Sequence, residues 1–378
     1  MADIPSVSYA PTEEQDLIRS TARRFLEDRV GLEKVRELMM SDAGFDPVLW
    51  KEMADLGWTG LGIAEEHGGA GLSLVEMGVL LEEMGRLVTP GPFFASAVVA
   101  TTTIQELASP EQAADLLPGL ATGETIATLA VFEQARDWSP SEPTTTASHR
   151  GDGWVLRGRK RSVLNGTEAD ILLVTASTDD GVAVFVVGAD AEGVEMTTES
   201  VLDPTRRQSG LSFEDVTVPD AARLGAGEDA SDGLRRVLAV ATAALAADQV
   251  GGAQRCMEMS VDYAKSRYQF GRPIGSYQSI KHRCANMLMK VEQAKSAAYH
   301  AARVTDHPDE LAIAGPLAGS VASEAYVWVA GENIQVHGGI GFTWEHDAHI
   351  YLKRAKASSL LLGSPRHQRH LMGRAIGI

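Results

Sequence analysis

The spacing of apolar residues changes period twice along the chain. Between about residues 12 and 120 the apolar positions fall three and four apart, as at Leu17, Ile18, Phe25 and Leu26, which predicts amphipathic helices. Thr12, with Gln15 three residues on, forms a capping box at the start of the first. Gly60, Gly62, Gly68, Gly69 and Gly71 predict a loop between Trp58 and Leu72. Helical spacing resumes over 73–87, and Pro90 and Pro92 predict a break before a further helix.

From about 125 to 225 the pattern turns to short runs rich in Val and Ile, at 126–132, 154–156, 171–175 and 182–187. Leu211, Phe213, Val216 and Val218 predict one more strand, closed by Pro219. Four to seven short strands at this spacing predict a small barrel or sandwich. No helix fits between them, which argues against a doubly wound parallel sheet. The Ser/Thr/Pro-rich stretch 138–148 predicts a surface loop. Helical texture returns over 233–267, 279–306, 310–337 and 346–362. The expected fold class is therefore α+β. A helical N-terminal domain spans 1–124, a β-barrel or sandwich 125–228, and a helical domain 229–378.

Composition narrows the function. The chain has 378 residues, 44% hydrophobic and 22% charged, enough for a large core. Lys plus Arg number 34 against 51 Asp plus Glu, a net charge of −17, which argues against nucleic acid as a partner. Cys256 and Cys284 are too few for a disulfide framework and lack zinc-site spacing, so a reducing compartment fits. The start, Met-Ala-Asp-Ile-Pro, has neither a basic region nor an apolar signal core. The longest apolar run, 237–247, ends at Asp248, well short of the roughly 20 residues a membrane span needs. The expectation is a soluble cytoplasmic protein with no membrane contact. His346 and His349 have the spacing of a metal pair on a helix, but no third ligand presents itself, so no metal is expected.

Several motifs then point to one family. Arg267-Tyr268-Gln269-Phe270-Gly271-Arg272-Pro273-Ile274, followed by Gln278, resembles the flavin-binding signature of acyl-CoA dehydrogenases. So does Gln335-Val336-His337-Gly338-Gly339-Ile340-Gly341-Phe342. Glu65-Glu66-His67-Gly68-Gly69-Ala70-Gly71 and Leu81-Glu82-Glu83-Met84-Gly85 are similar to segments of the family's first domain. Gly158-Arg159-Lys160 with Asn165-Gly166, and Phe213-Glu214-Asp215-Val216-Thr217-Val218-Pro219, resemble its middle domain. Each motif alone is weak, but their order and spacing over nearly the whole chain are specific. The resemblance implies a C-terminal four-helix bundle and FAD bound where it meets the β domain. It also implies a flavin shared across a subunit interface, hence a homo- or hetero-tetramer.

The residue chemistry suits a dinucleotide. Arg267 offers a planar charged fork to a pyrophosphate, and Gln278 offers an amide. Gly338 and Gly339 allow close backbone approach. By similarity Arg267, Phe270 and Gln278 contact the FAD of one site, while Gln335 and Gly339 reach it from a neighbouring subunit. Taken singly, Arg267 could instead be a surface ion-pair residue, and the glycines could simply end a helix.

The resemblance implies abstraction of an α-proton from an acyl-CoA thioester while hydride leaves Cβ, giving a trans-2-enoyl-CoA. That chemistry needs a base aimed at Cα. The family's usual Glu position falls on Leu362, and the alternative Glu position of a second group falls on Ala241. Neither takes a proton. Asp248 lies about two turns beyond Ala241, with Ala244, Leu245, Gly251 and Gly252 on its face. A lone acid on a small-residue face is costly unless used or paired, which makes Asp248 the candidate base. Pairing with Arg255 or with another helix, or simply facing solvent, are the competing accounts.

Other positions depart from the family. Val131-Phe132-Glu133-Gln134-Ala135-Arg136-Asp137 shares only its acid with the family segment that touches flavin and acyl-CoA, and Ala64 replaces a Pro. Such losses resemble divergent bacterial members that work as mixed complexes, often on bulky acyl-CoAs that include steroid side chains. Three readings follow. The first is an FAD-dependent acyl-CoA dehydrogenase passing electrons to an electron-transfer flavoprotein. The second is a catalytically silent partner subunit, and the third a flavin oxidase or monooxygenase on the same scaffold.

Overall fold

Thr12 Oγ1 accepts from Gln15 N, and the Gln15 side chain accepts from Thr12 N, so the expected capping box starts α1 (Glu13–Arg29). The computed structural model describes residues 11–133, 139–225 and 227–378. After α2 (Gly31–Met40) and α3 (Pro47–Asp55), the glycine-rich stretch forms the expected loop, holding a short 3-10 turn at Glu65–His67. Ser73 caps α4 (Leu74–Arg86) in a second capping box with Glu76. Beyond Pro90 and Pro92 the chain re-enters a helix of unusual form. Phe94–Ala100 is π-helical and runs straight into α5 (Thr101–Leu107), before α6 (Pro110–Ala121).

The strands are β1 (Ala127–Ala130), β2 (Thr146–Arg150), β3 (Gly153–Leu164), β4 (Ile171–Thr178), β5 (Gly181–Gly188), β6 (Val194–Thr198) and β7 (Gln208–Pro219). They form one seven-stranded sheet. Pairing is antiparallel except for β1 with β4 and the single Thr146–Ser177 contact of β2 with β4. Register shifts after Leu156 and Lys160 bend β3 against β7 and help the sheet curl.

Two strands differ from the sequence expectation. Trp138 lies outside the described residues, and the end of the supposed surface loop is β2. Of β2 only Ala147 is buried, so it lacks the apolar alternation that marks a strand, and β6 alternates only over Val194 and Met196, both partly buried, too short a pattern to stand out.

The C-terminal helices are α7 (Ser231–Ser266), α8 (Gln278–Arg303), α9 (Pro308–His337), α10 (Ala348–Leu361) and α11 (Pro365–Ala375). A hairpin of β8 (Tyr268–Gln269) and β9 (Arg272–Pro273) joins α7 to α8. Sequence spacing did not predict α11, which starts at the Ser364 cap with Pro365 as first residue and buries little beyond Gln368. Ala243, Ala246, Ala294, Ala298, Ala318 and Ala322 pack as a small-residue seam between α7, α8 and α9. The first helical region docks on α7 through glycines. A Cβ at Gly85 would lie 2.0 Å from Asp248 O, and one at Gly251 would lie 1.8 Å from Glu82 O. Among the described residues no helix is long and apolar enough to cross a membrane.

Candidate active site

The turn from α10 into α11 borders a cavity of about 820 Å³ that Leu362 and His367 both line. Leu238 and Thr242 of α7 and Leu311 of α9 form part of its wall, and Arg235 stands among its polar groups. Volume and lining are those of a small-molecule site. Local bonds fix the turn. Ser364 Oγ accepts from His367 N at 3.2 Å, and Gln368 Nε2 donates to Leu362 O at 2.6 Å. Gly363 takes φ +110°, a region that favours glycine.

Ala241 is fully buried on α7 and does not line this cavity. Neither does Asp248, which is tied elsewhere. Asp248 Oδ2 accepts from Arg206 Nη2 at 3.1 Å, and both side chains are buried. Asp248 Oδ1 has no hydrogen-bond partner among the described residues. Arg206 also donates to Ser358 Oγ at 3.3 Å and lies 5.1 Å from the Phe94 ring centre. Burial, then the charge of Arg354, pushes the Arg206 guanidinium below its ordinary value, against the pull of Asp248 and Asp203. Arg354 in turn donates to Thr89 O at 2.9 Å and faces Asp203 at 3.5 Å. The expected choice for Asp248 was a base or an ion pair with Arg255 or another helix. The structure gives the pair to Arg206, from the loop before β7, while Arg255 faces Glu258.

Glu133, the acid shared with the family segment, is also engaged. Lys160 is fully buried and donates to Glu133 Oε1 at 2.6 Å and to Thr175 Oγ1 at 2.8 Å. Burial alone would raise the Glu133 carboxyl, but Lys160 outweighs it and holds the group at about 2. Gln134, Ala135, Arg136 and Asp137 lie outside the described residues.

The flavin candidates cluster at one end of the bundle. Arg267 closes α7, and the two-residue turn after Gln269 places Phe270 (φ +54°) and Gly271 (φ +80°) at the hairpin tip. Phe270 is 93% exposed there. Gln278 opens α8, also exposed. Tyr263, one turn before Arg267, packs against His337 with ring centres 4.4 Å apart and the rings tilted by 31°, and this brings the end of α9 alongside. Gln335, Gly338 and Gly339 are exposed on that end, and a Cβ at either glycine would meet open space. Phe342 (80% exposed) and Trp344 (55%) continue the apolar surface. His349 stacks on Trp344 with ring centres 4.7 Å apart, and His346 packs against His337 at 4.3 Å with the rings tilted by 50°. Among the described residues no group of three or more His, Cys, Asp or Glu could hold a metal ion.

The acyl-CoA dehydrogenase N-terminal, middle and C-terminal domain profiles match residues 12–124, 129–216 and 234–377. The chain belongs to the acyl-CoA dehydrogenase family. Acyl-CoA dehydrogenase IpdE2 of Mycobacterium tuberculosis is 35% identical over 94% of this chain and 95% of its own length. The ChsE4–ChsE5 complex of M. tuberculosis has a chain that superposes with a TM-score of 0.90 at 29% identity, covering 98% of this chain and 99% of that one. The Tcur3481–Tcur3483 steroid ACAD has one with a TM-score of 0.88 at 32% identity, covering 96% and 98%.

Members of this oxidoreductase family depend on FAD. The residues present fit that cofactor. A guanidinium, two amides, two open glycine backbones and an exposed aromatic match the pyrophosphate, polar edges and flat rings of a dinucleotide. Sequence reasoning missed the Arg206 partner, which is 42 residues from Asp248.

Proposed function

We propose that this acyl-CoA dehydrogenase catalyses α,β-dehydrogenation of an acyl-CoA thioester to a trans-2-enoyl-CoA in the cytoplasm and passes the electrons to an electron-transfer flavoprotein. The observation that carries the reading is the cavity of about 820 Å³ reaching Leu362, the position where family resemblance puts the active-site acid. Bound FAD supplies the chemistry of accepting hydride from Cβ. Arg267, Phe270, Gln278, Gln335, Gly338 and Gly339 are the residues proposed to hold it. Leu238, Leu311 and Leu362 give the cavity an apolar wall against which an acyl chain could pack. The volume, and relatives that include a protein named as a steroid ACAD, support a bulky acyl group.

A second reading, a mixed oligomer whose partner chain supplies the base, is favoured by one set of observations. Leu362 and Ala241 carry no acid, and Asp248 is committed to Arg206. Two structural neighbours are themselves named for pairs of different chains.

Anaerobic titration of the FAD-loaded protein with short, long, branched and steroidal acyl-CoAs separates the two. Flavin bleaching by any member supports the first reading. FAD-loaded protein that stays oxidised throughout, and bleaches only after a co-purified second dehydrogenase chain is added, supports the second.

A further inference from the structure

The cavity beside Leu362 changes character along its length. One end lies where three helices meet. A Cβ at Gly319 of α9 would lie 2.4 Å from Thr242 Cγ2 on α7 and 3.5 Å from Gln368 Cδ on α11. Gln368 Nε2 donates to Leu362 O, so Leu362 belongs to this end. The α9 residues that line the cavity run from Pro308 to Pro316 and stop short of Gly319, so the cavity extends from here in one direction only. Gly315, one turn before Gly319, packs on Ala239 of α7, with a Cβ 2.9 Å from Ala239 O. Arg235 lies seven residues before Thr242, and Arg374 six residues after Gln368, each about 10 Å along its helix. Both line the cavity, as does Asp309 in the first turn of α9, so these residues share its far end.

That far end is cationic in a chain of net charge −17. It holds the guanidiniums of Arg235, Arg236 and Arg374 against the carboxylates of Asp232 and Asp309. Arg236 turns to Glu106 at 3.1 Å. Arg235 pairs with Asp232 one turn earlier, and its Nη2 lies 3.5 Å from Ser141 Oγ in the segment before β2. Both side chains of that pair are more than half exposed, and such pairs are weak, so Arg235 can turn to another anion. Arg374 is exposed, and among the described residues no carboxylate lies within ion-pair distance of it.

We propose that Arg374 and Arg235 hold the nucleotide phosphates of CoA, so that the substrate lies with its acyl end toward Leu362 and its nucleotide at the last turn of α11. The inference rests on the acyl-CoA reading of the site and deepens it. The substrate is a free CoA thioester, not one carried on a protein, whose pantetheine arm ends in a single phosphodiester with no nucleotide. Two guanidinium forks from facing helices match phosphate oxygens in geometry as well as charge. The rest of the acidic surface repels such an anion, so local cations decide where it is received.

The test uses the full-length FAD-loaded protein and two thioethers, S-octyl-CoA and S-octylpantetheine. Neither has a carbonyl to acidify Cα, so both bind without turnover. Calorimetry at low salt gives the ratio of their affinities. The parent should prefer S-octyl-CoA by at least about tenfold, and the preference should shrink as salt screens the charges. Arg235→Gln combined with Arg374→Gln should lower the ratio about tenfold, the lower end of what a charge-assisted contact is worth. General damage to the fold would weaken both ligands alike and leave the ratio unmoved. Arg374→Lys, which keeps the charge, should retain most of the preference. An unchanged ratio in the double variant overturns the proposal. So does a parent that binds the two thioethers equally, which would point to a thioester on a carrier protein. A parent that binds neither overturns the acyl-CoA reading as well.

Discussion

Arg206 Nη2 lies 3.1 Å from Asp248 Oδ2, and neither side chain reaches appreciable solvent. With Arg354, Asp203 and Thr89 O, the pair joins the loop before β7, the middle of α7, α10 and the turn after α4. A buried pair is weak evidence for net stabilisation, but breaking one leaves a bare charge in a poor solvent. Asp248→Asn is therefore expected to lower unfolding free energy by about 3–5 kcal/mol, read from denaturant midpoints. The rate of flavin bleaching by acyl-CoA, per folded molecule, should be unchanged. A loss of bleaching rate above about 100-fold with stability intact would support Asp248 as the base.

The contact of α4 with α7 admits no side chain at two points. Gly85→Ala and Gly251→Ala each place a methyl about 2 Å from a backbone oxygen, at Asp248 and Glu82 respectively. Alanine is the better helix former by about 1 kcal/mol, so propensity alone predicts stabilisation. Overpacking against backbone outweighs it, and a net loss of about 1–3 kcal/mol is expected. Gly331→Ala on α9, which meets nothing within 4 Å, should gain up to about 1 kcal/mol. Parallel urea titrations of the three variants check the contrast.

Glu133 and Lys160 give the fold a defined acid limb. The Glu133 carboxyl is held at about 2, below its ordinary 4.5, so between these values the unfolded chain binds more protons than the folded one. Its stabilising contribution is full above about pH 4.5 and is lost as pH falls toward 2. Burial lowers Lys160 from 10.5 to about 8 despite Glu133, so over that interval the unfolded chain again holds more protons and stability rises with pH. Glu133→Gln should flatten the acid limb in a pH series of denaturant midpoints. An unchanged limb would remove Glu133 as its cause. Lys160→Met, which strands the acid, is expected to cost about 3–5 kcal/mol near neutral pH.

What could be read from the chain follows from range. The capping box at Thr12 acts over three residues and was visible as written, whereas the one at Ser73 has the same pattern and was not singled out. Long C-terminal helices show through periodicity, and β4 and β5 through continuous burial. Strand β2 did not, because an exposed strand of Thr, Ser, His and Arg has no apolar face to alternate. Asp248 shows the same limit in chemistry. Its small, apolar helix face was correctly read as buried, but the guanidinium that accounts for it comes from a distant loop. The cavity beside Leu362 depends on where α7, α9 and α11 meet, which no local pattern encodes.

Phe270 brings the flavin motif to a test independent of turnover. A large aromatic at φ +54° is an uncomfortable choice for a hairpin tip, where Asn or Gly costs less. Leaving it 93% exposed adds nothing to the stability of a single chain. Both features make sense if a flat ring system or a neighbouring subunit covers the side chain in the assembled protein. Phe270→Gly should therefore leave the stability of the isolated chain equal or raise it by up to about 1 kcal/mol. Losing one stacked aromatic removes roughly 1–3 kcal/mol of ring contact, or about ten- to a hundredfold in FAD affinity. Fluorescence titration of the apoprotein with FAD measures the second quantity, and sedimentation with and without FAD shows whether assembly falls with it. Unchanged FAD affinity together with loss of the oligomer would move Phe270 from the cofactor to the subunit contact, and if neither changed, the hairpin tip would have no part in the flavin site.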